Sequence, residues 1–266
     1  RHRVLFCHAG QSVGPVTRCC AVGVLHRVGR FPVLLHQGRG SRGISLLLMM
    51  RRLVAEALGT GLLIVAVIGS GIMAERLTQD VALQLLCNAV ATGGALVALI
   101  LIFAPVSGAS FNPIVGIVGT LLGEGSWKDT ALYAIAQTIG GCAGAVIANV
   151  MFDLDAVNLS EKVRTGSNIW ISEAVASVGL LVVIYGTIRA KRANLVPFTV
   201  AAWITGAYFF TSSTSLANPA VTVARTLSNT FAGIAPESVP MFIVMQLVGA
   251  VIGFGIIRFV FEESAA

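Results

Sequence analysis

Two segments decide the fold of this 266-residue chain: Ser-Gly-Ala-Ser-Phe-Asn-Pro-Ile-Val at 107–115 and Ala-Asn-Pro-Ala-Val at 217–221. Each places Asn directly before Pro. Proline is tolerated in the first turn of a helix, and Asn is a favoured N-cap, so each pair predicts a helix start. The surrounding residues, 107–122 and 212–231, are moderately apolar but too short to cross a bilayer. We therefore expect two re-entrant segments, which are tolerated in a membrane only where they are buried in protein or line a watery cavity.

The rest of the chain predicts a helical membrane protein. Hydrophobic residues make up 56% of the sequence and charged residues only 11%, against about a quarter charged in a soluble domain. Apolar segments long enough to span a bilayer as helices lie at 53–73, 81–104, 130–151, 169–188, 195–213 and 240–261. Basic residues cluster in the loops before the first span and after the second and fourth, which predicts that both termini are cytoplasmic.

The two halves of the chain repeat each other. Glu56 opens the first span and Glu173 opens the fourth, and a Gln-x₂-Gly-x₃-Gly motif follows in each half, from Gln137 and from Gln246. Each half, about 51–151 and 169–261, contains three spans. Because three is odd, the second half must enter the membrane upside down, which gives an inverted repeat. The two Asn-Pro helix starts then meet near the middle of the membrane.

These motifs resemble the paired Asn-Pro-Ala boxes of the aquaporin, or major intrinsic protein, family. The resemblance covers residues 51–261 and implies a passive channel for small neutral solutes, assembled as a homotetramer with one pore per subunit in the plasma (inner) membrane. The boxes are Asn112-Pro113-Ile114 and Asn218-Pro219-Ala220. Two helix N-termini, each carrying about half a positive charge, repel cations at that point, and the Asn amides offer N–H donors to a solute oxygen.

The resemblance also assigns roles to two buried carboxylates. An ionisable residue inside a span is costly and is a functional candidate by default. In the family, carboxylates at the positions of Glu56 and Glu173 accept backbone N–H groups of the re-entrant loops and so orient their carbonyl groups. The alternative is a proton relay through Glu56 or Glu173, as in a proton-coupled secondary transporter built from inverted repeats.

The departures from the family pattern concern selectivity. In the family an arginine usually follows the second box, but Val221 stands there. Counted by ungapped offset from the two asparagines, the other filter positions fall on Thr92, Gly206 and Ser215. None is aromatic, so we expect a wide filter of low positive charge. Ile114 replaces the usual Ala of the first box, and we expect its branched side chain to narrow the pore near Asn112.

Two further features bear on the solute. Arg225 lies one turn after Val221, which predicts a cation in the outer vestibule; a surface arginine bound to a loop carbonyl or a lipid phosphate is the alternative. The segment from Asn218 to Pro240 resembles a bacterial subgroup associated with arsenic resistance. That resemblance adds metalloid hydroxides such as arsenite to water, glycerol and urea as expected solutes.

Residues 1–48 differ in composition from the rest. They hold seven arginines, all four histidines and no acidic residue, whereas the remainder balances 11 basic against 12 acidic residues. We expect the channel domain to comprise residues 49–266, with 1–48 being translated upstream sequence or a targeting segment. Metal binding by the His and Cys residues of this tail lacks the usual ligand spacing.

No enzymatic function is expected, since residues 49–266 contain no histidine and no clustered carboxylates. The sequence likewise suggests no cofactor, no metal site and no nucleic-acid partner. The expected partners are the lipid bilayer, small neutral solutes and further copies of the same chain.

Overall fold

The computed structural model describes residues 42–261, with side chains from residue 46, and contains eight α-helices in that part of the chain. They are α1 (Arg42–Leu77), α2 (Val81–Ser107), α3 (Pro113–Leu121), α4 (Trp127–Met151), α5 (Ser167–Arg189), α6 (Val196–Phe210), α7 (Pro219–Ala224) and α8 (Val239–Val260). All but α3 and α7 belong to segments long and apolar enough to cross a membrane. The predicted six spans and two half-helices are confirmed.

Two predicted boundaries differ from the observed ones. Helix α1 begins at Arg42, before the start of the first predicted span at residue 53, because the apolar residues 46–50 continue the helix. Helix α6 ends at Phe210 rather than at residue 213, since Thr211 has extended backbone angles and opens the loop toward the second box. The expectations for residues 1–41 lie outside the described residues.

The helices pack as two intertwined halves. In the first half α1 packs on α2 and α4, and in the second α5 packs on α6 and α8. Each half-helix also crosses to the other half, because α3 packs on α8 and α7 packs on α4. This exchange matches the inverted repeat and holds the N-termini of α3 and α7 together at the centre.

The Gln-x₂-Gly-x₃-Gly motifs allow close helix crossings. A Cβ on Gly140 would lie 2.0 Å from the Ala57 carbonyl oxygen, and one on Gly144 would lie 2.2 Å from that of Gly61. In the second half a Cβ on Gly249 would lie 2.7 Å from the Ala174 oxygen. Only glycine permits backbones to approach this closely, so these positions set the α1–α4 and α5–α8 crossings.

Candidate functional site: a central channel

The two asparagines join the half-helices to each other. Asn112 Oδ1 accepts the Ile114 N–H at 3.2 Å, and Asn218 Oδ1 accepts those of Ala220 and Val221 at 3.0 and 3.3 Å. The amide nitrogens cross between the halves: Asn112 Nδ2 donates to the Ala217 carbonyl at 2.8 Å and Asn218 Nδ2 to the Phe111 carbonyl at 2.7 Å. Each Asn is therefore both an N-cap and a clamp on the opposite loop.

This clamping changes what each amide offers a solute. An Asn amide nitrogen carries two N–H donors, and one of them is used in the bond to the opposite carbonyl. One donor remains on Asn112 and one on Asn218, and both residues line the central cavity.

Glu56 orients the loop before the first box. Its Oε1 accepts from the Ser107 hydroxyl at 2.6 Å and the Ser110 N–H at 3.1 Å. Its Oε2 accepts from Phe111 N–H at 2.8 Å, Ser110 Oγ at 2.9 Å and Gln137 Nε2 at 2.8 Å. Glu56 is completely buried, and these five bonds supply what a buried carboxylate needs.

Glu173 plays the matching part in the second half. It accepts the N–H groups of Leu216 and Ala217, both at 2.9 Å, and Gln246 Nε2 at 2.7 Å. Gln137 and Gln246, the first residues of the two Gln-x₂-Gly-x₃-Gly motifs, thus donate to the two carboxylates. The loops they support include left-handed non-glycine residues, at Ala109, Phe111, Thr214, Ser215 and Ala217. Such strained backbone persists only where surrounding bonds hold it, and here the bonds to Glu56 and Glu173 do so.

A cavity of about 560 Å³ lies at the centre of the molecule and is lined by residues of both half-helices. At the end where α1 begins it reaches Arg52, Glu124 and Asp129, and at the other end it reaches Val221 and Arg225. We call the latter the outer end, following the orientation predicted from the charge pattern. Of the predicted site residues, the cavity is lined by Thr92, Asn112, Ser215, Asn218, Val221 and Arg225.

Several predicted site residues lie behind the cavity wall. Glu56 and Glu173 are fully buried beneath the loops. Pro113, Pro219 and Ala220 form the first turns of the half-helices, on faces turned away from the cavity.

The expectation that Ile114 narrows the pore is wrong. Its side chain is fully buried and belongs to a cluster with Val118, Leu181 and Ala250. The reason is that α3 packs on α8, so the second residue of the half-helix points into that helix contact rather than into the cavity.

The assignment of Gly206 to the filter is also wrong. The residues of α6 that line the cavity are Val196, Val200, Ile204 and Tyr208, spaced one helical turn apart. Gly206 is two residues from Tyr208, a rotation of about 200° around the helix, so it lies on the opposite side. Tyr208 lines the cavity instead, and its hydroxyl lies 3.1 Å from Thr92 Oγ1.

We use the name outer constriction for four residues that line the cavity on the inner side of Arg225, namely Thr92, Tyr208, Ser215 and Val221. Three of them carry hydroxyl groups; those of Thr92 and Tyr208 lie 3.1 Å apart, and Ser215 Oγ is buried with no protein partner within the described residues. Val221 presents an apolar side chain that is 6% exposed. The wall can therefore offer hydrogen bonds on one side and an apolar surface on the other.

Arg225 is buried rather than on the surface, with 2% of its area exposed. Its Nε donates to the Ala232 carbonyl, so the expected loop-carbonyl contact exists, but it lies inside the protein. The terminal nitrogens of Arg225 have no protein acceptor among residues 46–261, and the residue lines the cavity. A cation is thus present one turn beyond Val221.

Sequence reasoning missed Tyr208 and Arg164. The i, i+4 spacing of the cavity-facing residues on α6 was the available signal for Tyr208. Arg164 lies in the loop after α4, and nothing in its local sequence indicates that it reaches the outer end. Among the described residues no group of three or more His, Cys, Asp or Glu residues lies close enough together to hold a metal ion.

The match to a family model decides the identity of this architecture. The major intrinsic protein model matches residues 44–215 and 196–266. The chain belongs to the major intrinsic protein family. Members of this family are channels and not enzymes, so the chain is an integral membrane channel protein that passes water or glycerol-like solutes passively.

Individual members of the family agree with this assignment. The chain is 50% identical over 216 residues to aquaglyceroporin AqpS of Rhizobium meliloti (strain 1021), covering 81% of this chain and 92% of the relative. It is 28% identical over 234 residues to aquaporin Z of Photorhabdus laumondii, covering 81% and 100%. The X-ray structure of the aquaglyceroporin from Plasmodium falciparum matches with a TM-score of 0.63 at 19% identity, covering 80% of this chain and 96% of that one, which shows the shared fold.

Proposed function

We propose that this channel conducts neutral polyhydroxyl solutes, namely glycerol, urea and metalloid hydroxides such as arsenite, in addition to water. The observation that carries the proposal is the composition of the outer constriction. Val221 occupies the position where an arginine usually narrows the filter, and Thr92, Tyr208 and Ser215 supply hydroxyl groups around it.

The chemistry of this wall suits such solutes. Glycerol has hydroxyl groups along one edge and C–H groups along the other, so it can bond to the hydroxyls while its carbon atoms contact Val221. Arsenite at neutral pH is a neutral trihydroxide of similar size and hydrogen-bonding capacity. At the centre, the free donors of Asn112 and Asn218 bind one solute oxygen after another.

Stopped-flow light scattering of reconstituted vesicles tests the proposal. Vesicles that contain the channel are mixed with an osmotic gradient to measure water flux, or with a gradient of glycerol or urea to measure the flux of that solute. Arsenite entry is measured by chemical assay of washed vesicles. We expect all four solutes to pass faster than in protein-free vesicles. Water permeation without glycerol permeation would contradict the proposed solute range, and no permeation at all would contradict channel function.

The wider assembly is also proposed. We place the channel in the inner membrane with both termini in the cytoplasm, as a homotetramer. Support comes from the basic residues at the cytoplasmic ends and from exposed apolar side chains such as Val54, Leu58 and Leu62 on α1. Reporter fusions at each terminus test the orientation, and the native mass of the detergent-purified protein tests the tetramer.

A proton-coupled transporter is not favoured by the geometry. Glu56 and Glu173 do not line the cavity, and both carboxylates are occupied by N–H and O–H donors. A group that carries protons has to reach water or solute. Solute flux that is linear in concentration and insensitive to a pH gradient would remove this alternative.

A further inference from the structure

The guanidinium of Arg164 lies against the loop that carries Ser215. Its Nε donates to the Gly233 carbonyl at 3.0 Å, and its Nη1 donates to the Ser213 carbonyl at 3.2 Å. Nη1 also lies 3.4 Å from Thr214 Oγ1. Because Ser213 and Thr214 directly precede Ser215, these contacts place a positive charge just behind the outer constriction.

Arg164 is held there by its backbone as well as by its side chain. The Arg164 N–H donates to Ser238 Oγ at 3.0 Å. Earlier in the same loop, the N–H groups of Asn158 and Ser160 donate to the Leu227 and Thr226 carbonyls at 3.1 and 2.8 Å. The loop between α4 and α5 is therefore attached along its length to the segment that follows α7.

Arg225 lies next to Arg164. Arg225 donates to the Ala232 carbonyl and Arg164 to the next carbonyl, that of Gly233. Within residues 46–261 the hydrogen-bond partners of both guanidiniums are carbonyl and hydroxyl oxygens. The nearby carboxylate of Glu173 is occupied by the N–H groups of Leu216 and Ala217. The outer end thus holds two positive charges that no carboxylate neutralises by direct contact.

We propose that Arg164, acting with Arg225, supplies the barrier against cations that an arginine at position 221 would otherwise supply. This inference rests on the proposed function, because only a pore open to neutral solutes requires such a barrier. The two charges lie beside the constriction rather than across it. They repel cations through a medium of low dielectric constant, where charge acts over longer distances than in water, and they leave the opening wide for neutral solutes.

The surroundings of Arg164 define how its charge responds to pH. The charged and titratable groups near it are Arg225, Glu173 and Tyr208, with Lys162 two residues away. Burial, and then the Arg225 charge, lower the pKa of Arg164 to about 9, so the guanidinium is charged at pH 7. A lysine has an ordinary pKa at least about 2 units below that of arginine, so in the same place it would lose its charge at a lower pH than Arg164 does.

Sodium flux into channel vesicles, compared with glycerol flux in the same preparation, tests the proposal. The variants are Arg164→Gln, which removes the charge, and Arg164→Lys, which keeps it at low pH. The matched control is Arg76→Gln, since Arg76 is exposed at the same end and donates to the Phe152 carbonyl away from the cavity. All are measured between pH 6 and 9.

We expect Arg164→Gln to raise sodium flux about tenfold at pH 6 and 7, where Arg164 is charged, and by less toward pH 9, where Arg164 itself loses charge, while glycerol flux changes little. Arg164→Lys should exclude sodium at pH 6 and admit it increasingly as pH rises. Its sodium flux should begin to rise at a lower pH than that of the unmodified channel. Arg76→Gln should resemble the unmodified channel.

Three results would overturn the proposal. The first is a sodium flux in Arg164→Gln equal to that in Arg76→Gln. The second is an equal sodium flux in Arg164→Gln and Arg164→Lys at pH 6, and the third is a sodium flux in Arg164→Lys that does not change with pH. If Arg164→Gln does not assemble, the pH profile of Arg164→Lys decides alone. Failure of the unmodified channel to conduct glycerol would instead contradict the proposed function.

Discussion

At the scale of single residues, we predict that position 221 controls the width of the outer constriction. Val221→Arg would add a long charged side chain beside Ser215 and Tyr208, in a wall where Val221 is 6% exposed. We expect glycerol and arsenite fluxes to fall more than about tenfold and water flux to fall much less, because larger solutes need the lost space. Stopped-flow measurement of all three solutes checks this.

The control for this substitution is Val221→Leu, which adds one carbon without charge. It should reduce glycerol flux modestly. Equal losses of every solute in Val221→Arg would indicate misfolding, and unchanged fluxes would show that position 221 does not limit passage.

A further prediction concerns Asn218, at the centre of the channel. Asn218→Asp keeps the cap on Ala220 and Val221 but replaces the donor that binds the Phe111 carbonyl with a carboxylate oxygen. Two acceptors would then face each other, and the cavity would gain a negative charge. We expect lower glycerol flux and higher sodium flux in reconstituted vesicles.

Asn229→Asp is a suitable comparison for Asn218→Asp. Asn229 also uses its Oδ1 to accept a backbone N–H, that of Glu161 at 3.1 Å, but it is exposed in an outer loop. The Asn229→Asp variant should conduct glycerol and exclude sodium as the unmodified channel does. If both Asp variants behave alike, the central amide has no special part in conduction.

At the scale of elements, each re-entrant loop depends on one carboxylate. Glu173→Gln would place an amide nitrogen among three donors, the N–H groups of Leu216 and Ala217 and the amide of Gln246. Hydrogen bonds to a charged group contribute about 1.5–3 kcal/mol each. We therefore expect a lower Tm in detergent and lower flux of every solute alike, measured by thermal unfolding and by vesicle assays.

Glu75→Gln is the matched control for Glu173→Gln. Glu75 also accepts a backbone N–H, that of Phe231 at 3.1 Å, but it is exposed. Its Tm should change by less than that of Glu173→Gln. Selective loss of one solute in Glu173→Gln would contradict a purely loop-orienting part for this carboxylate.

The starts of the half-helices could be predicted from the sequence, but the side of α6 that faces the cavity could not. Asn112 and Asn218 begin their helices where the N-cap and proline preferences predict, because those preferences are local. The prediction for Gly206 depends on a count back from Asn218 through the loop at 211–217, and the facing of α6 depends on its packing rather than on that count. The structure has Tyr208, two residues away, lining the cavity in place of Gly206.

At the scale of the whole molecule, the first residues of α1 contribute little packing. Leu46, Leu47 and Leu48 are 65%, 54% and 51% exposed. A chain that begins at Met49 keeps Arg51 and Arg52, which supply the cytoplasmic anchor. We expect it to insert and to conduct glycerol at the rate of the full chain, measured in the same vesicles. Loss of insertion or flux would show that residues before Met49 are needed.

The sequence alone determined the membrane class, the six spans, the inverted repeat and the two Asn-Pro helix starts. These follow from apolar length, capping and repetition, which are properties of short stretches of chain. The tertiary structure alone decided which side chains face the cavity. Ile114 turns into the contact with α8, Tyr208 rather than Gly206 lines the cavity, and Arg164 reaches the loop behind the cavity wall from a separate segment. The physical reason is that the facing of a side chain depends on the rotation of its helix and on the path of loops, both of which are set by packing between distant segments.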